Sequence, residues 1–225
     1  MSMANDIRST RVVALDGNAG LPREVLGNKG FHIDFMRRHE LPVPPAFCIT
    51  TEVCADWFVT RDQAIDDVMR DVREAIGYLE DETGRSFGQG PRPLLVSVRS
   101  GAAQSMPGML DTVLNLGIND EVECALADLY GQRFAADTRR RFQEMYARIV
   151  VGDNPEAGVP DGPYEQLGAA IRSVFASWNS ERAVAYRRHH GLDDLGGTAV
   201  VVQAMVFGNM EKGSGTGVLF SRNPM

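Results

Sequence analysis

Residues 93–117 read PLLVSVRSGAAQSMPGMLDTVLNLG, and this stretch says more about the fold than any other part of the chain. It begins with an apolar run that predicts a strand, which ends at Arg99, and continues into a loop of small and turn-forming residues. A strand followed by such a loop presents backbone N–H groups and one fixed positive charge to an anion. Phosphate is the anion most often bound in this way, so the stretch predicts contact with the phosphate tail of a nucleotide.

Arg99 and the loop after it each allow two interpretations. A planar guanidinium fits phosphate oxygens in a bidentate way, but it can also pair with a surface carboxylate. The neighbouring Gly101 and the loop together favour phosphate. In the loop, two methionines flank a Pro-Gly pair, which predicts either a lid over a ligand or a β-turn packed against the core. The loop residues are Ser105, Met106, Pro107, Gly108 and Met109.

Three further segments carry weaker signals. Lys29 lies between two glycines at a predicted helix start, where its ammonium either adds to a phosphate site or is simply solvated. Residues 213–217 (GSGTG) look like a phosphate loop, but an apolar run follows them instead of a helix, which favours a hairpin turn. Residues 203–206 end an apolar strand, which is either an ordinary buried strand or a backbone that recognises an adenine edge.

Composition excludes several classes of partner. The chain has 225 residues, 44% of them hydrophobic, and a formal net charge of -7. That charge argues against nucleic acid and anionic membrane as partners, because both require a basic face. It does not exclude a nucleotide, whose charge a few local cations and magnesium can neutralise. The sequence contains no apolar run long enough to cross a bilayer and no visible secretion signal at its start.

The cysteines indicate a reducing compartment. The chain has 3 of them, Cys48, Cys54 and Cys124, with no C-x-x-C pair, so a zinc site or a disulfide framework is not expected. We expect three buried or half-buried thiols and a cytoplasmic location.

Hydrophobic spacing predicts a mixed α and β chain. Strands are expected near residues 11–15, 47–50 and 94–98, and the clearest helix is expected over residues 61–80. A helix should follow a turn at residues 26–30, with Phe31, Phe35 and Met36 on one side, and Thr51 should cap another helix. Helices then dominate up to residue 190. Residues 198–206 and 218–220 are predicted to pair as a hairpin.

These residues resemble a known family. Residues 93–120 resemble, almost residue for residue, the ATP-binding domain of the pyruvate, phosphate dikinase family. Residues 26–30 (LGNKG) and 41–45 (LPVPP) are similar to that family's N-terminal signature, and residues 198–224 also fit the family. Within that segment, residues 203–210 and 215–224 are closer to this dikinase than to phosphoenolpyruvate synthase. The family usually has Gly-Gly-Lys-Gly where this chain has Gly-Asn-Lys-Gly, and asparagine tolerates a positive φ better than most residues.

The resemblance implies an ATP-grasp fold that binds MgATP. In this family the ATP-binding domain phosphorylates a histidine on a separate swivelling domain, and inorganic phosphate accepts another phosphoryl group. The products are AMP and pyrophosphate, and the phosphohistidine then converts pyruvate to phosphoenolpyruvate. Similarity assigns the ATP phosphates to Lys29 and Arg99, which are also the predicted catalytic residues, and it places residues 105–109 over those phosphates.

The same resemblance completes the predicted nucleotide site. Similarity places three residues in the adenine pocket, and Gly101 and Asp111 belong to the predicted nucleotide-binding set. The family's acidic magnesium ligands, its histidine domain and its pyruvate-binding barrel are expected beyond Met225. No metal ligand is therefore expected within this chain, which alone should turn nothing over. The predicted adenine-pocket residues are Gln203, Met205 and Val206.

The predicted architecture is α+β: an incomplete ATP-grasp-like nucleotide-binding domain with a helical subdomain inserted between β-rich ends. The N-terminal α/β part covers residues 1–120 and the helical subdomain residues 121–196. Residues 197–225 are expected to form a β-hairpin that begins the second half of the grasp. Expected partners are ATP and the phosphohistidine domain of the same full-length protein, and the resemblance also allows a homodimer.

Two other functions stay open from the residues alone. A dikinase of the phosphoenolpyruvate synthase type would use water in place of inorganic phosphate. A non-catalytic module would bind a nucleotide or a partner protein without turnover.

Overall fold

The computed structural model describes residues 10–152, 158–210 and 213–219. The strands are β1 (Val12–Ala14), β2 (Ala46–Ile49), β3 (Ser86–Phe87), β4 (Pro93–Leu94), β5 (Val96–Gly101), β6 (Thr112–Leu116) and β7 (Ala199–Ala204). The α-helices are α1 (Arg23–Arg38), α2 (Thr51–Thr60), α3 (Asp62–Thr83), α4 (Asp120–Tyr130), α5 (Gln132–Tyr146), α6 (Pro163–Ser177) and α7 (Glu181–His189). A π-helical turn, Ala147–Val151, continues α5. This mixture of helix and sheet confirms the α+β prediction.

One five-stranded sheet carries the fold, in the order β1-β2-β7-β5-β6. Every neighbouring pair in it is antiparallel. β7 comes last in the chain but lies in the middle, with Val201 opposite Cys48 of β2 on one side and opposite Arg99 of β5 on the other. The two short strands β3 and β4 form a separate parallel pair.

Side chains alternate between the two faces of this sheet, and both faces are covered by helices. Val98, Val200 and Val202 point to the larger core, which also contains the apolar residues of α3 and α6. Cys48 and Val201 point to the opposite face, where they pack against α1. Because successive strand residues face opposite ways, Arg99 lies on the α1 face of the sheet, with Val201.

The helix expected from residues 61–80 is confirmed as α3. Its buried residues recur every three or four positions and face the larger core. The helix ends at Gly84, which has the left-handed backbone typical of a C-terminal cap. The main members of its buried face are Ile65, Val68, Val72, Ile76 and Leu79.

Two local predictions about the first helices were wrong. α1 is interrupted at Gly27, whose backbone is not helical, so the expected turn and the helix after it are present, and a first helical turn from Arg23 precedes them. The buried face of this helix contains Leu26 and Ile33, whereas Phe35, which was expected on the packed side, is 49% exposed. Thr51 does not cap α2, because Thr50 occupies the cap position and the Thr51 hydroxyl donates instead to the Glu24 carbonyl at 3.0 Å.

The expected hairpin at residues 198–220 does not form over the residues that the structure describes. β7 is the predicted first strand, but Val218 and Leu219 belong to no strand and are almost fully exposed. The physical reason is that β2 and β5 already occupy both edges of β7. Phe220 lies outside the described residues.

The cysteine prediction holds for two of the three thiols. Cys48 and Cys54 are buried, but Cys124 is exposed on α4. Burial raises the pKa of the Cys54 thiol to about 11. Within the described ranges, the helices are all too short or too polar to span a bilayer.

Candidate functional site

Lys29 and Arg99 are neighbours at the α1 face of the sheet. The Lys29 ammonium donates a hydrogen bond to the Ser100 carbonyl at 2.7 Å, which places it beside the end of β5. The pKa of Lys29 is lowered from its ordinary value, first by desolvation and then by repulsion from the Arg99 guanidinium. Two cations that repel each other in partly desolvated surroundings are stabilised by an anion, so this is the electrostatic pattern of an anion site.

Neither of these cations is paired with a carboxylate within the described part of the chain. The surface ion pair that was the alternative for Arg99 is therefore absent there. The guanidinium instead makes a long hydrogen bond of 3.4 Å to the Gln203 side chain. Both charges thus remain available to a ligand.

The backbone around Gly27 explains how Lys29 reaches β5. Gly27 has a φ of 67°, which glycine adopts without strain. The next residue, Asn28, donates its backbone N–H to the Ala102 carbonyl at 2.8 Å, which joins α1, just after its kink, to the residue after β5. The residue with the left-handed backbone is Gly27 and not Asn28. The asparagine, where the family usually has a second glycine, therefore does not strain the backbone of this turn.

Arg99 lies within β5 and not at its expected end, because the strand continues to Gly101. Ser97 is opposite Gln203 in the register, so Arg99 and Gln203 are diagonal neighbours on one face. The Gln203 amide also donates to the Pro44 carbonyl at 3.0 Å. These contacts place Gln203 beside the cation pair.

A cavity of about 580 Å³ opens between β6, the segment after β7 and α5. Met205 and Val206, two of the predicted adenine-pocket residues, line it, and Val206 is 73% exposed at this site. Asn115, which sequence analysis did not select, lines it as well. Further lining side chains are Leu114, Met145 and Phe207, which are apolar, and Arg141 and Glu144, which are charged.

Two methionines attach the loop of residues 105–109 to a small apolar cluster, because Met106 is buried in it and Met109 packs against it. Met106 is only 7% exposed and packs with Trp178 and Ala183 beside α7, whereas Ser105, Pro107 and Gly108 are exposed. Met109 closes the turn by donating its N–H to the Met106 carbonyl at 3.1 Å. The loop is therefore a turn packed against the core with an exposed tip.

Arg182 at the start of α7 attaches the end of this loop. Its guanidinium donates to the Met109 carbonyl at 3.1 Å and forms an ion pair with Asp111. The Asp111 backbone N–H donates a hydrogen bond to the Ser177 hydroxyl oxygen at 3.3 Å. Sequence analysis missed Arg182, although an arginine in the first turn of a helix opposes the helix dipole and so indicates another partner.

The predicted site residues therefore fall into three groups: the cation pair with Gly101 and Gln203, the cavity lined by Met205 and Val206, and the loop attached to α7. Asp111 is the only carboxylate among them, and it is already paired with Arg182. Over the described residues, no group of three or more His, Cys, Asp or Glu side chains is placed to hold a metal ion. The residues beside the cations do not by themselves fit the oxygen ligand set that Mg²⁺ requires.

A comparison with protein families shows where the chain belongs. The model of the pyruvate phosphate dikinase AMP/ATP-binding domain matches residues 59–225. The chain belongs to this family. Its membership confirms the resemblance that residues 93–120 indicated.

Members of the pyruvate, phosphate dikinase family from bacteria and plants are similar along most of the chain. The pyruvate, phosphate dikinase of Rickettsia bellii is 40% identical over an alignment 253 residues long. This alignment covers 93% of this chain and 28% of the relative. The Clostridium symbiosum protein is 38% identical and is covered to 29% of its length. The chloroplastic protein of Mesembryanthemum crystallinum is 38% identical over 100% of this chain and 29% of its own. This chain thus spans less than a third of the relatives that it matches.

Proposed function

We propose that this chain binds the phosphates of ATP as part of the ATP-binding domain of a pyruvate, phosphate dikinase. The observation that carries the proposal is the juxtaposition of Lys29 and Arg99 without a carboxylate partner in the described structure. Phosphoryl transfer depends mainly on positioning and on neutralising charge, which two such cations supply. Family membership and the names of the relatives support the same function.

The whole protein would then carry out the reaction that its relatives' name describes. ATP would give one phosphoryl group to a histidine on another domain and one to inorganic phosphate, leaving AMP and pyrophosphate. The phosphohistidine would transfer its group to pyruvate and form phosphoenolpyruvate. In this scheme Lys29 and Arg99 hold the phosphates and balance the charge that develops on them, and residues 105–109 lie over them.

We include the finer architecture in this proposal. The antiparallel sheet with α1 on one face would be one half of an ATP-grasp fold, built from an α/β part at residues 1–120, a helical subdomain at residues 121–196 and the start of the second half at residues 197–225. Mg²⁺ would arrive bound to the ATP phosphates, with its protein ligands outside this chain. The remaining partners would be the phosphohistidine domain and, in a homodimer, a second copy.

The proposed location is the cytoplasm, where ATP and pyruvate are metabolised. The relative from Mesembryanthemum is a chloroplastic protein, so members of the family also work elsewhere.

Calorimetry with a non-hydrolysable ATP analogue tests the phosphate site. We expect Arg99→Ala to weaken binding by about 1.5–3 kcal/mol, the usual value of a charge-assisted hydrogen bond. Arg188→Ala is the matched control, because Arg188 is an exposed arginine of α7 and is not among the predicted site residues. Equal losses of affinity in both variants, or an unchanged affinity in Arg99→Ala, would contradict the proposal.

A further inference from the structure

We propose that Thr198 is a positioning residue of the phosphate site and that its hydroxyl acts through Lys29. The hydroxyl holds the peptide group between Ser100 and Gly101, and the carbonyl of that peptide group holds the Lys29 ammonium. This inference rests on the proposed function, since Lys29 is one of the two cations assigned to the ATP phosphates. Sequence analysis did not select Thr198, which is 97 residues from Gly101 along the chain.

One rigid peptide group connects Thr198 to Lys29. Its carbonyl, from Ser100, accepts a hydrogen bond from the Lys29 ammonium at 2.7 Å. Its N–H, from Gly101, donates to the Thr198 hydroxyl oxygen at 3.1 Å. A trans peptide is planar, so its C=O and N–H point in opposite directions. Fixing the N–H therefore also fixes the direction in which the carbonyl meets the ammonium.

The Ser100 carbonyl lies just past the part of β5 that pairs with β6. The Gly101 N–H points to β7, so the Ser100 carbonyl points to the other side, toward the β6 edge of β5. The register with β6 ends at Arg99, which is opposite Thr112, the first residue of β6. The carbonyl is therefore left for Lys29, and its peptide group is held from the β7 side.

The Thr198 hydroxyl is oriented by a second hydrogen bond. Thr198 is 0% exposed, so its hydroxyl has no contact with bulk water. The hydroxyl donates its single proton to the Ala199 carbonyl at 3.0 Å, which leaves its oxygen to accept from Gly101. Ala199 is the residue opposite Gly101 in the register. The hydroxyl thus joins β5 and β7 at the last pair of their ladder.

The position of the Lys29 ammonium depends on this carbonyl. A lysine side chain is a flexible chain of four carbons with a point charge at its end. The Arg99 guanidinium repels the ammonium, and burial removes part of its water. Without an oriented carbonyl, we expect the ammonium to move away from Arg99. The held carbonyl offsets the repulsion before ATP arrives, so both charges are already in place for the phosphates.

Calorimetric titration with a non-hydrolysable ATP analogue tests the inference through a double-mutant cycle. Thr198→Val removes the hydroxyl, keeps the β-branched shape and should weaken binding about 3–10-fold. Lys29→Met removes the ammonium, and adding Thr198→Val to it should weaken binding no further, because the hydroxyl acts through that ammonium. Thr198→Ser keeps the hydroxyl and should bind the analogue within about twofold of the unmodified protein.

Hydrogen exchange and a matched control separate this effect from a change of fold. Exchange at the Gly101 N–H should be faster in Thr198→Val than in Thr198→Ser, since only serine can accept that N–H. If Thr198→Val does not fold, Thr198→Ala replaces it in the same comparison with serine. Thr83→Val is the control, because it removes a hydroxyl that donates to the Leu79 carbonyl at 2.7 Å in α3, on the other face of the sheet. It should leave the affinity unchanged.

Three results would overturn the inference. Equal affinities, or equal exchange at Gly101, in Thr198→Val and Thr198→Ser would show that the hydroxyl is not the cause. A loss in Thr198→Val that is as large in the Lys29→Met background would show that the hydroxyl acts by another route. Each of these leaves the phosphate site standing if Arg99→Ala still weakens binding, whereas an unchanged affinity in Arg99→Ala would overturn the proposed function itself.

Discussion

A Cβ atom on Gly27 would lie 1.6 Å from the carbonyl oxygen of Gly101. The backbones of α1 and β5 therefore touch at this point, and only a residue without a side chain permits it. This contact sets the distance between Lys29, two residues after Gly27, and Arg99, two residues before Gly101. The cation pair thus depends on the glycine at position 27 as much as on the two charges.

The first prediction concerns this contact. Gly27→Ala is expected to lower the free energy of unfolding by about 3–5 kcal/mol, because the methyl group overlaps backbone and the left-handed conformation disfavours alanine. Gly77→Ala is the control, since Gly77 lies in α3 with open space around it. That variant should be more stable by about 0.5–1 kcal/mol. Urea unfolding measures both, and an unchanged midpoint for Gly27→Ala would refute the contact.

The lowered pKa of Lys29 predicts that nucleotide binding takes up protons. In the free protein, desolvation and Arg99 place this pKa below its ordinary 10.5. Bound phosphates stabilise the ammonium and raise the pKa, so between the two values a fraction of a proton enters on binding. Affinity for ATP should therefore fall as the pH rises through the lowered pKa, where the free protein loses its ammonium proton.

Calorimetry in two buffers of different ionisation enthalpy measures this uptake, at neutral pH and at a pH about one unit below 10.5. Uptake should be greater at the higher pH. Lys29→Arg is the control, because a guanidinium stays charged throughout and should remove the uptake. The prediction fails if the unmodified protein and Lys29→Arg take up equal numbers of protons.

The ion pair between Arg182 and Asp111 is predicted to hold the loop of residues 105–109 in place. The Arg182 side chain is 52% exposed, so a double-mutant cycle with Arg182→Ala and Asp111→Asn should give a coupling energy of only about 0.5–1 kcal/mol. The larger effect should be faster hydrogen exchange at Met109, whose carbonyl Arg182 also binds. Arg140→Ala breaks comparable exposed pairs on α5 and serves as the control. Equal exchange at Met109 in both arginine variants would argue against the tether.

Gln166 is predicted to be essential for stability. It is 1% exposed, accepts from the Gly117 N–H at 3.0 Å, and donates to the Ile118 and Pro160 carbonyls, both at 2.9 Å. Gln166→Leu leaves these three backbone groups without that partner and should cost about 2–4 kcal/mol of unfolding free energy. The exposed Gln63 offers a matched change, and Gln63→Leu should stay within about 0.5 kcal/mol of the unmodified protein. Similar urea midpoints for both variants would contradict the prediction.

Hydrophobic periodicity in the sequence predicted a helix or strand correctly where the local pattern alone determines which of the two forms. The spacing of Ile65, Val68 and Val72 predicted α3, because a helix that buries one face repeats every 3.6 residues. The apolar runs around Val98 and Val201 predicted β5 and β7, which are buried on both faces. The juxtaposition of Lys29 and Arg99 was also expected, but from the family resemblance and not from spacing.

The parts of the fold and of the site that were not predicted depend on contacts between segments that are distant in sequence. The hairpin prediction failed because pairing with β2 and β5 at long range outcompeted pairing with the next apolar run. The sequence around Met106 could not distinguish a lid over a ligand from a turn packed against the core, because both arrangements require an apolar side chain at this position. The contact between Thr198 and Gly101 could not be predicted either, because the two residues meet only once β5 and β7 are paired.

The position of β7 has a consequence for synthesis on the ribosome. The pairs β1–β2 and β5–β6 can each form early, yet they share no hydrogen bonds with each other and are joined only through β7. Until Ala204 has left the exit tunnel, β2 and β5 each keep an unsatisfied, apolar edge. The nascent chain therefore exposes two unpaired strand edges from the synthesis of β5 until β7 is available, and shielding by a chaperone during that interval should favour correct completion of the sheet.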